Sequence, residues 1–434
     1  MDISDTLSSE TIFKGINKMK FIHAADIHLD SPLRGLARYE GAPVEQMQRA
    51  TRRAFINMID LACNESVDFI LLAGDLYDVD WKDYNTGLFF NQQMSRLRDA
   101  NIPVFMVLGN HDAGNTITRQ LRLPDNVTEF HYRSPETKVL DKIGVAIHGQ
   151  SFANKSITDD LSIAYPNALP GYFNIGLLHT SLNGRQGHDH YAPCTLPSLL
   201  SHGYDYWALG HIHKREILHE KPWVVFAGNL QGRHARETGA KGCTLVKVKD
   251  GQTVVSPIPV DVFRWEECFV GVNDVVEADD IIDKARCAVS EAMQNADGRP
   301  LALRFIIKGA CPVHNELHSH PERWTNEIRA AATDAGLGNV WIEKISLQTR
   351  ALETHLVQDE GPLAELTHFL RSLIQDGEGL KALSSEFRSL INALPVEARE
   401  NEKGSGVDPG NLDTIRDLLN GVEELLMARL LAQE

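Results

Sequence analysis

The stretch Lys20-Phe-Ile-His-Ala-Ala-Asp-Ile-His28 decides the fold. A short apolar run, of strand rather than helix length, ends at Ala25 and hands over to an aspartate and a histidine. The same layout recurs down the chain. Run 68–73 precedes Gly74-Asp75-x-x-Asp78, and run 103–108 precedes Gly109-Asn110-His111-Asp112. Run 174–178 precedes His179, and run 205–209 precedes Gly210-His211-Ile212-His213. Further runs of this kind lie at 143–148, 223–227 and 243–248. Strands apolar on both faces belong to sheets covered on both sides. Residues 46–64 and 89–99 carry apolar side chains at helical spacing and join the first three strands, so residues 19–260 are expected to form an α/β domain.

At 434 residues the chain is too long for one ordinary core, so two or three domains are expected. A content of 43% hydrophobic and 24% charged residues is that of a globular protein, not a disordered or fibrous one. No apolar run reaches the roughly 18–20 residues that span a bilayer, and the polar start lacks a secretory h-region. A cytoplasmic protein without a membrane partner is expected. Residues 1–18 are expected to be a disordered, dispensable extension, or a matter of whether Met1 or Met19 is the start. The six cysteines (Cys63, Cys194, Cys243, Cys268, Cys287, Cys311) are scattered without a C-x-x-C pair, which argues against a zinc ribbon or a disulfide framework.

Composition shifts near Val260. Strand, helix, strand, helix and strand follow at 265–272, 279–296, 301–308, 321–335 and 340–347, a small α+β unit over residues 261–350. Within it His314, His318 and His320 are irregularly spaced and read as a loop. Residues 351–434 read as helical, at 362–375, 380–394 and 412–432, punctuated by Gly377, Gly379, Pro395 and the glycine-rich stretch from Gly404.

Five strand ends thus present Asp, Asn and His to one rim, the place where open α/β sheets bind ligands. A lone histidine there is more often an ordinary loop residue, but five strand ends carrying metal-type residues together point to a metal site. Imidazole, carboxylate and amide oxygen without thiolate suit Mn²⁺, Fe²⁺ or Zn²⁺ in a site that is not structural zinc. There are enough ligands for two ions, and Asp75, between the two ligand sets, is the natural bridging carboxylate.

The ordered set D-x-H, G-D-x-x-D, G-N-H-[DE], H and G-H-x-H resembles the signature of the calcineurin-like metallophosphoesterases. The resemblance covers about residues 19–259. It implies a four-layer α/β/β/α sandwich, with a first metal on Asp26, His28, Asp75 and His213 and a second on Asp75, Asn110, His179 and His211. The text FIHAADIHLDSPL (21–33), GYDYWALGHIHKRE (203–216) and FAGNLQGRHARETGAKGC (226–243) is similar to SbcD-type DNA-repair exonucleases, especially their YhaO-like branch. Protein Ser/Thr phosphatases continue G-D-x-x-D with Arg-Gly and G-N-H with Glu. Here Val79 and Asp112 stand instead.

The expectation is therefore a Mn²⁺-dependent nuclease that cuts double-stranded DNA from 3′ to 5′, with a phosphodiesterase of small nucleotides or other phosphoesters as the alternative. A scaffold that has lost its chemistry is the reading from another class, and no ligand is missing to favour it. Two ions clamp the phosphodiester and activate a water. His111 is expected to protonate the leaving oxygen, with Asp78 orienting it. Arg233 and His234, in the glycine-rich 228–234 segment, are candidate substrate contacts, and His188, Asp189 and His190 read as a solvated loop.

A net charge of −16 is unsuited to gripping DNA by this chain alone. Bound cations can reverse the local field, and a partner can supply the basic groove. The resemblance implies that 261–350 caps the catalytic domain at a DNA channel, and that C-terminal helices dock on an SbcC-like coiled-coil ATPase. The apolar face of 412–432 would suit such docking or packing within the chain. A homodimer is a further expected partner state.

Overall fold

The computed structural model describes residues 18–31, 43–78, 84–114, 122–182, 192–352 and 362–393, with residues 415, 416, 419 and 422. The expected N-terminal extension lies outside these residues except Lys18, which already belongs to the first strand. The 188–190 loop also lies outside them. The chain forms two compact units, residues 1–265 and 266–434. The division falls after Trp265 rather than Val260. Residues 261–265 belong to the first unit because Gln231 binds Val262 and Phe263 through its side-chain amide, and the Trp265 indole donates to the Gly232 carbonyl.

In the first unit β1 (Lys18–Ala24), β2 (Phe69–Ala73), β3 (Val104–Val107) and β4 (Val127–Glu129) run parallel. Helix α1 (Val44–Glu65) links β1 to β2, and α2 (Tyr84–Asp99) links β2 to β3. A second sheet holds β5 (Glu136–Leu140), β6 (Val145–Gly149), β7 (Phe173–His179), β8 (Tyr206–Gly210), β9 (Glu216–Glu220) and β10 (Trp223–Phe226). The chain then returns to the first sheet as β11 (Gly242–Lys249), antiparallel to β1, and β12 (Gln252–Pro259). The orders are β12-β11-β1-β2-β3-β4 and β5-β6-β7-β8-β10-β9. β6, β7, β8 and β10 are parallel, with β5 and β9 antiparallel at the edges.

Side-chain alternation along each strand makes the layers. Phe21, Phe69, Leu71 and Phe105 pack inward on Ile147, Ile175, Leu177 and Tyr206 of the other sheet. Ile22, Ile70, Leu72 and Met106 face outward and bury Phe55, Met58 and Ile59 of α1 with Phe90 and Met94 of α2. On the far side Leu178, Trp207, Leu209 and Phe226 cover Leu199 of α4 (Leu196–Ser201), whose short helix follows α3 (Asn110–Ala113) in chain order. Helices, sheet, sheet and helix are the expected four-layer α/β/β/α sandwich.

The second unit has a three-stranded sheet of β13 (Arg264–Gly271), β14 (Leu301–Ala310) and β15 (Val340–Arg350), with β14 and β15 parallel. Its core joins Val270, Leu303, Phe305 and Ile342 to Ile281 and Val289 of α5 (Asp279–Asn295) and Trp324 and Ile328 of α7 (Pro321–Ala335). The segment read as a loop is helix α6 (His314–Ser319). His314 and His318 sit one turn apart, and both contact the Thr349 hydroxyl, at 2.9 and 3.1 Å. Helix α8 (Pro362–Gln375) breaks at Asp376, as expected beside Gly377, and α9 (Gly377–Ala393) starts a few residues earlier than expected, with Gly377 and Gly379 in its first turn. Asp376 permits this by accepting the Glu378 N–H at 3.0 Å. Most of the expected 412–432 helix lies outside the described residues, but Ile415 and Leu419 pack on Leu380 within the chain. Among the described residues no helix is long and apolar enough to cross a membrane.

Candidate metal centre

The parallel strands of both sheets end at one rim. β1 leads to Asp26 and His28, β2 to Asp75 and Asp78, and β3 to Asn110 and His111. From the other sheet, β7 ends in His179 and β8 leads to His211 and His213. The ladder continues past the strand ends and fixes these turns. Asp26 N–H donates to the Gly74 carbonyl and His28 N–H to that of Asp75, both at 3.0 Å, while Thr180 N–H donates to Gly210 at 3.1 Å.

The turns are sharp. Asp26, His28, Asp75 and His211 have φ of 51°, 45°, 53° and 102°, a region that side-chain-bearing residues rarely enter. Each such residue costs about 1–3 kcal/mol, and such strain concentrates at functional sites. Two glycines allow the crowding. A Cβ on Gly74 would lie 2.5 Å from His179 Nδ1, and one on Gly109 would lie 2.3 Å from Asp75 Oδ1.

Two groups of ligand atoms converge: Asp26, His28 and His213, and Asp75, His179 and His211. Asp75 lies between them, with Oδ2 3.9 Å from His28 Nε2 and 3.5 Å from His179 Nε2. Asn110 Oδ1 is 2.9 Å from His179 Nε2. All seven expected ligands are thus brought together. His111 and Asp78 form a third group with His28. One oxygen, Asp78 Oδ1, stands 2.6 Å from His28 Nδ1 and 3.3 Å from His111 Nδ1. Arg233 NH1 is 3.6 Å from the same oxygen, while His234 is more than half exposed at the edge.

The donor set fits divalent cations. His28, His179 and His213 each have Nδ1 engaged, by Asp78, by the Ala73 carbonyl at 2.9 Å and by Glu237 Oε1 at 2.6 Å. A proton on Nδ1 leaves the Nε2 lone pair for the centre. His28 Nε2 and His213 Nε2 consequently face each other at 3.3 Å, two lone pairs aimed at one place. Burial lowers the His28 pKa to about 4 and that of His179 to about 3, so both are neutral donors. Burial and the neighbouring Asp75 raise the pKa of Asp26 well above the usual carboxylate range, a conflict that a cation resolves. For Asp78, burial opposes ionisation, but the His111 imidazole beside it and the hydrogen bond from His28 hold its carboxyl well below that range. Burial also opposes protonation of His111, yet Asp78 raises its pKa.

Two residues of the site were not among the sequence candidates. Asp112 is fully buried and accepts the N–H groups of Leu76, Tyr77 and Gly109, which ties the β2 and β3 turns together. Its signal was the acidic residue at the third position of a helix, a capping pattern. Glu237 lies in the segment after β10, well past the strand end, and no spacing in the sequence marked it.

The calcineurin-like phosphoesterase family profile matches residues 19–215, and that of the metallophosphoesterase YhaO middle domain matches residues 265–350. The uncharacterized metallophosphoesterase YhaO of Bacillus subtilis (strain 168) is 36% identical over 301 residues, 68% of this chain and 73% of that one. The DNA double-strand break repair protein Mre11 of Sulfolobus acidocaldarius is 24% identical over 316 residues, 69% of this chain and 77% of that one. Its namesake in Saccharolobus solfataricus is 27% identical over 309 residues, 67% and 75% of the two chains. With such likeness to the Bacillus protein over most of both chains, the protein belongs to the calcineurin-like metallophosphoesterases, hydrolases of phosphoesters that use divalent metals.

Proposed function

We propose that the chain is a DNA nuclease of SbcD type, hydrolysing phosphodiesters with a pair of Mn²⁺ ions, from 3′ ends of double-stranded DNA, in repair. The observation that carries this reading is the reach of the Mre11 similarity. It covers 69% of the chain, more than the first unit contains, so it extends beyond the metal-site domain. The second unit is accordingly proposed to contact DNA, and an SbcC-like ATPase to supply the basic surface that a chain of charge −16 lacks.

Asp26, His28, Asp75 and His213 would hold one ion, and Asp75, Asn110, His179 and His211 the other. Bound there, the ions would supply Lewis acidity to the phosphoryl oxygens and lower the pKa of an attacking water. The chain's own residues do the rest. His111 has Nδ1 turned to Asp78, which leaves Nε2 to protonate the leaving 3′-oxygen. Asp78 serves both this imidazole and the His28 ring, so acid and ligand are set by one carboxylate. Arg233, beside that carboxylate, is the cation proposed to meet the phosphate, and His234 at the rim, whose pKa burial lowers, a neutral hydrogen-bonding contact.

The test offers end-labelled single- and double-stranded DNA and bis-p-nitrophenyl phosphate to the purified protein with Mn²⁺, beside His111→Ala. Stepwise shortening of DNA, lost in a variant that keeps its Mn²⁺ content, is expected. Hydrolysis of the small ester with DNA untouched, even with an ATPase partner added, would replace this reading by a small-phosphoester phosphodiesterase.

A further inference from the structure

The segment after β10, residues 228–237, has no counterpart among the residues assigned so far to the ions. Yet it reaches the centre from the side away from the metals. Its end point is Glu237, which is 6% exposed and whose Oε1 lies 2.6 Å from His213 Nδ1. The other oxygen, Oε2, accepts the Asn229 side-chain amide at 2.9 Å and the Arg233 backbone N–H at 2.7 Å. Asn229 is itself tied to the Gln231 carbonyl, and Gln231 to Phe263. The closeness of this packing shows at Gly232, where a Cβ would lie 2.7 Å from the Glu237 carbonyl. The carboxylate therefore has one place to be.

We propose that Glu237 is the positioning residue of the first metal site, aiming His213 Nε2 at the ion and Arg233 at the substrate side. Glu237 belongs to none of the convergent groups of ligand atoms among the described residues, so it acts through the imidazole and not on the metal. An imidazole whose far N–H is given to a carboxylate is fixed in ring orientation and tautomer and is a stronger donor. Arg233 completes the arrangement. Its NH2 is 3.4 Å from Glu237 Oε1 and its NH1 3.6 Å from Asp78 Oδ1, so one guanidinium lies between the two carboxylates that orient His28 and His213. The site bounded by Asp26, His28 and His213 thus has both imidazoles oriented by carboxylates. His179 of the other site leans on a neutral backbone carbonyl. Removing Glu237 should weaken one site and spare the other.

This inference rests on the two-ion reading of the centre but not on the choice of DNA as substrate. The test compares the full chain with Glu237→Ala and Glu237→Gln, with circular dichroism in EDTA to establish that each is folded. Mn²⁺ binding is followed by calorimetry, and the pairing of the ions by electron paramagnetic resonance. The wild type is expected to bind two Mn²⁺ and to give an exchange-coupled signal. Glu237→Ala should weaken one of the two by about 10–100-fold and give an isolated-ion spectrum where the wild type is coupled. Glu237→Gln keeps an acceptor for the His213 N–H but no charge, and should fall at the lower end of that range. A folded variant of either kind with wild-type affinity at both sites overturns the role of Glu237. A wild type that never binds a second Mn²⁺ overturns the two-ion reading instead, and the inference with it.

Discussion

Gly109→Ala tests whether the centre depends on the close approach of backbone to ligand. The glycine has φ −89° and ψ −170°, ordinary extended backbone, so an alanine brings no conformational strain. What it brings is a methyl group 2.3 Å from Asp75 Oδ1, 2.8 Å from Asp75 N and 2.9 Å from His179 Cε1. Ordinary contact starts near 3.4 Å, so the bridging carboxylate must retreat by about 1 Å and His179 by about half that. Asp75 cannot rotate away freely, because Oδ1 accepts the His111 N–H at 2.9 Å. The overlap should cost about 1–3 kcal/mol of stability. A displacement of this size at reacting groups should lower kcat/KM about a hundredfold. Thermal melts in EDTA read the first effect, and Mn²⁺-dependent hydrolysis of bis-p-nitrophenyl phosphate the second. A Gly109→Ala protein with the wild-type melting point and rate would refute the reasoning, since the site would then have slack that these distances deny.

Two further predictions concern stability away from the rim. Burial raises the pKa of Asp205 from 3.8 to about 6, so stability present in acid is lost as pH rises through that interval. Asp205→Asn keeps an acceptor for the Asn174 N–H and removes the penalty. Thermal melts should show it more stable than wild type at pH 7.5 by about 1–2 kcal/mol, discounted for partial exposure, with no gain near pH 4. An equal gain at both values would contradict this. In the second unit Arg304 makes a bidentate pair with buried Glu343, at 2.8 and 2.7 Å. Arg304→Ala should cost about 3 kcal/mol in urea unfolding, and adding Glu343→Met should recover most of it, because the stranded charge is what hurts. A single variant as mild as a surface pair would argue otherwise.

What was legible in the sequence follows a physical line. The eight runs that read as strands in the first unit are the interior strands, apolar because both faces are covered. The four that went unread, β4, β5, β9 and β12, are the four sheet edges. Edge strands are half solvated, and β12 has no fully buried residue and carries Pro257 and Pro259, which an edge tolerates. The candidate metal ligands were legible because each lies within a few residues of an interior strand end. Glu237 was not, since it lies well beyond Phe226 and reaches His213 only through a folded segment that no spacing rule describes. The α6 histidines were misread for a related reason: six residues are too few to show helical periodicity, and only β15 supplies the Thr349 that holds them.

The candidate metal centre draws four of its seven ligands from the first sheet and three from the second, and they enter the chain one strand at a time between Asp26 and His213. Partial sets are all that an unfinished chain can offer, and closing such long loops around an ion before the sheets exist is entropically unfavourable. Ions bound there would therefore be late arrivals in assembly. They would meet a finished scaffold and brake its opening, unlike the zinc of a finger domain, without which that chain has no fold. A molecule synthesised during metal shortage would then reach its native shape and wait, ready to be switched on by mass action when the cation returns.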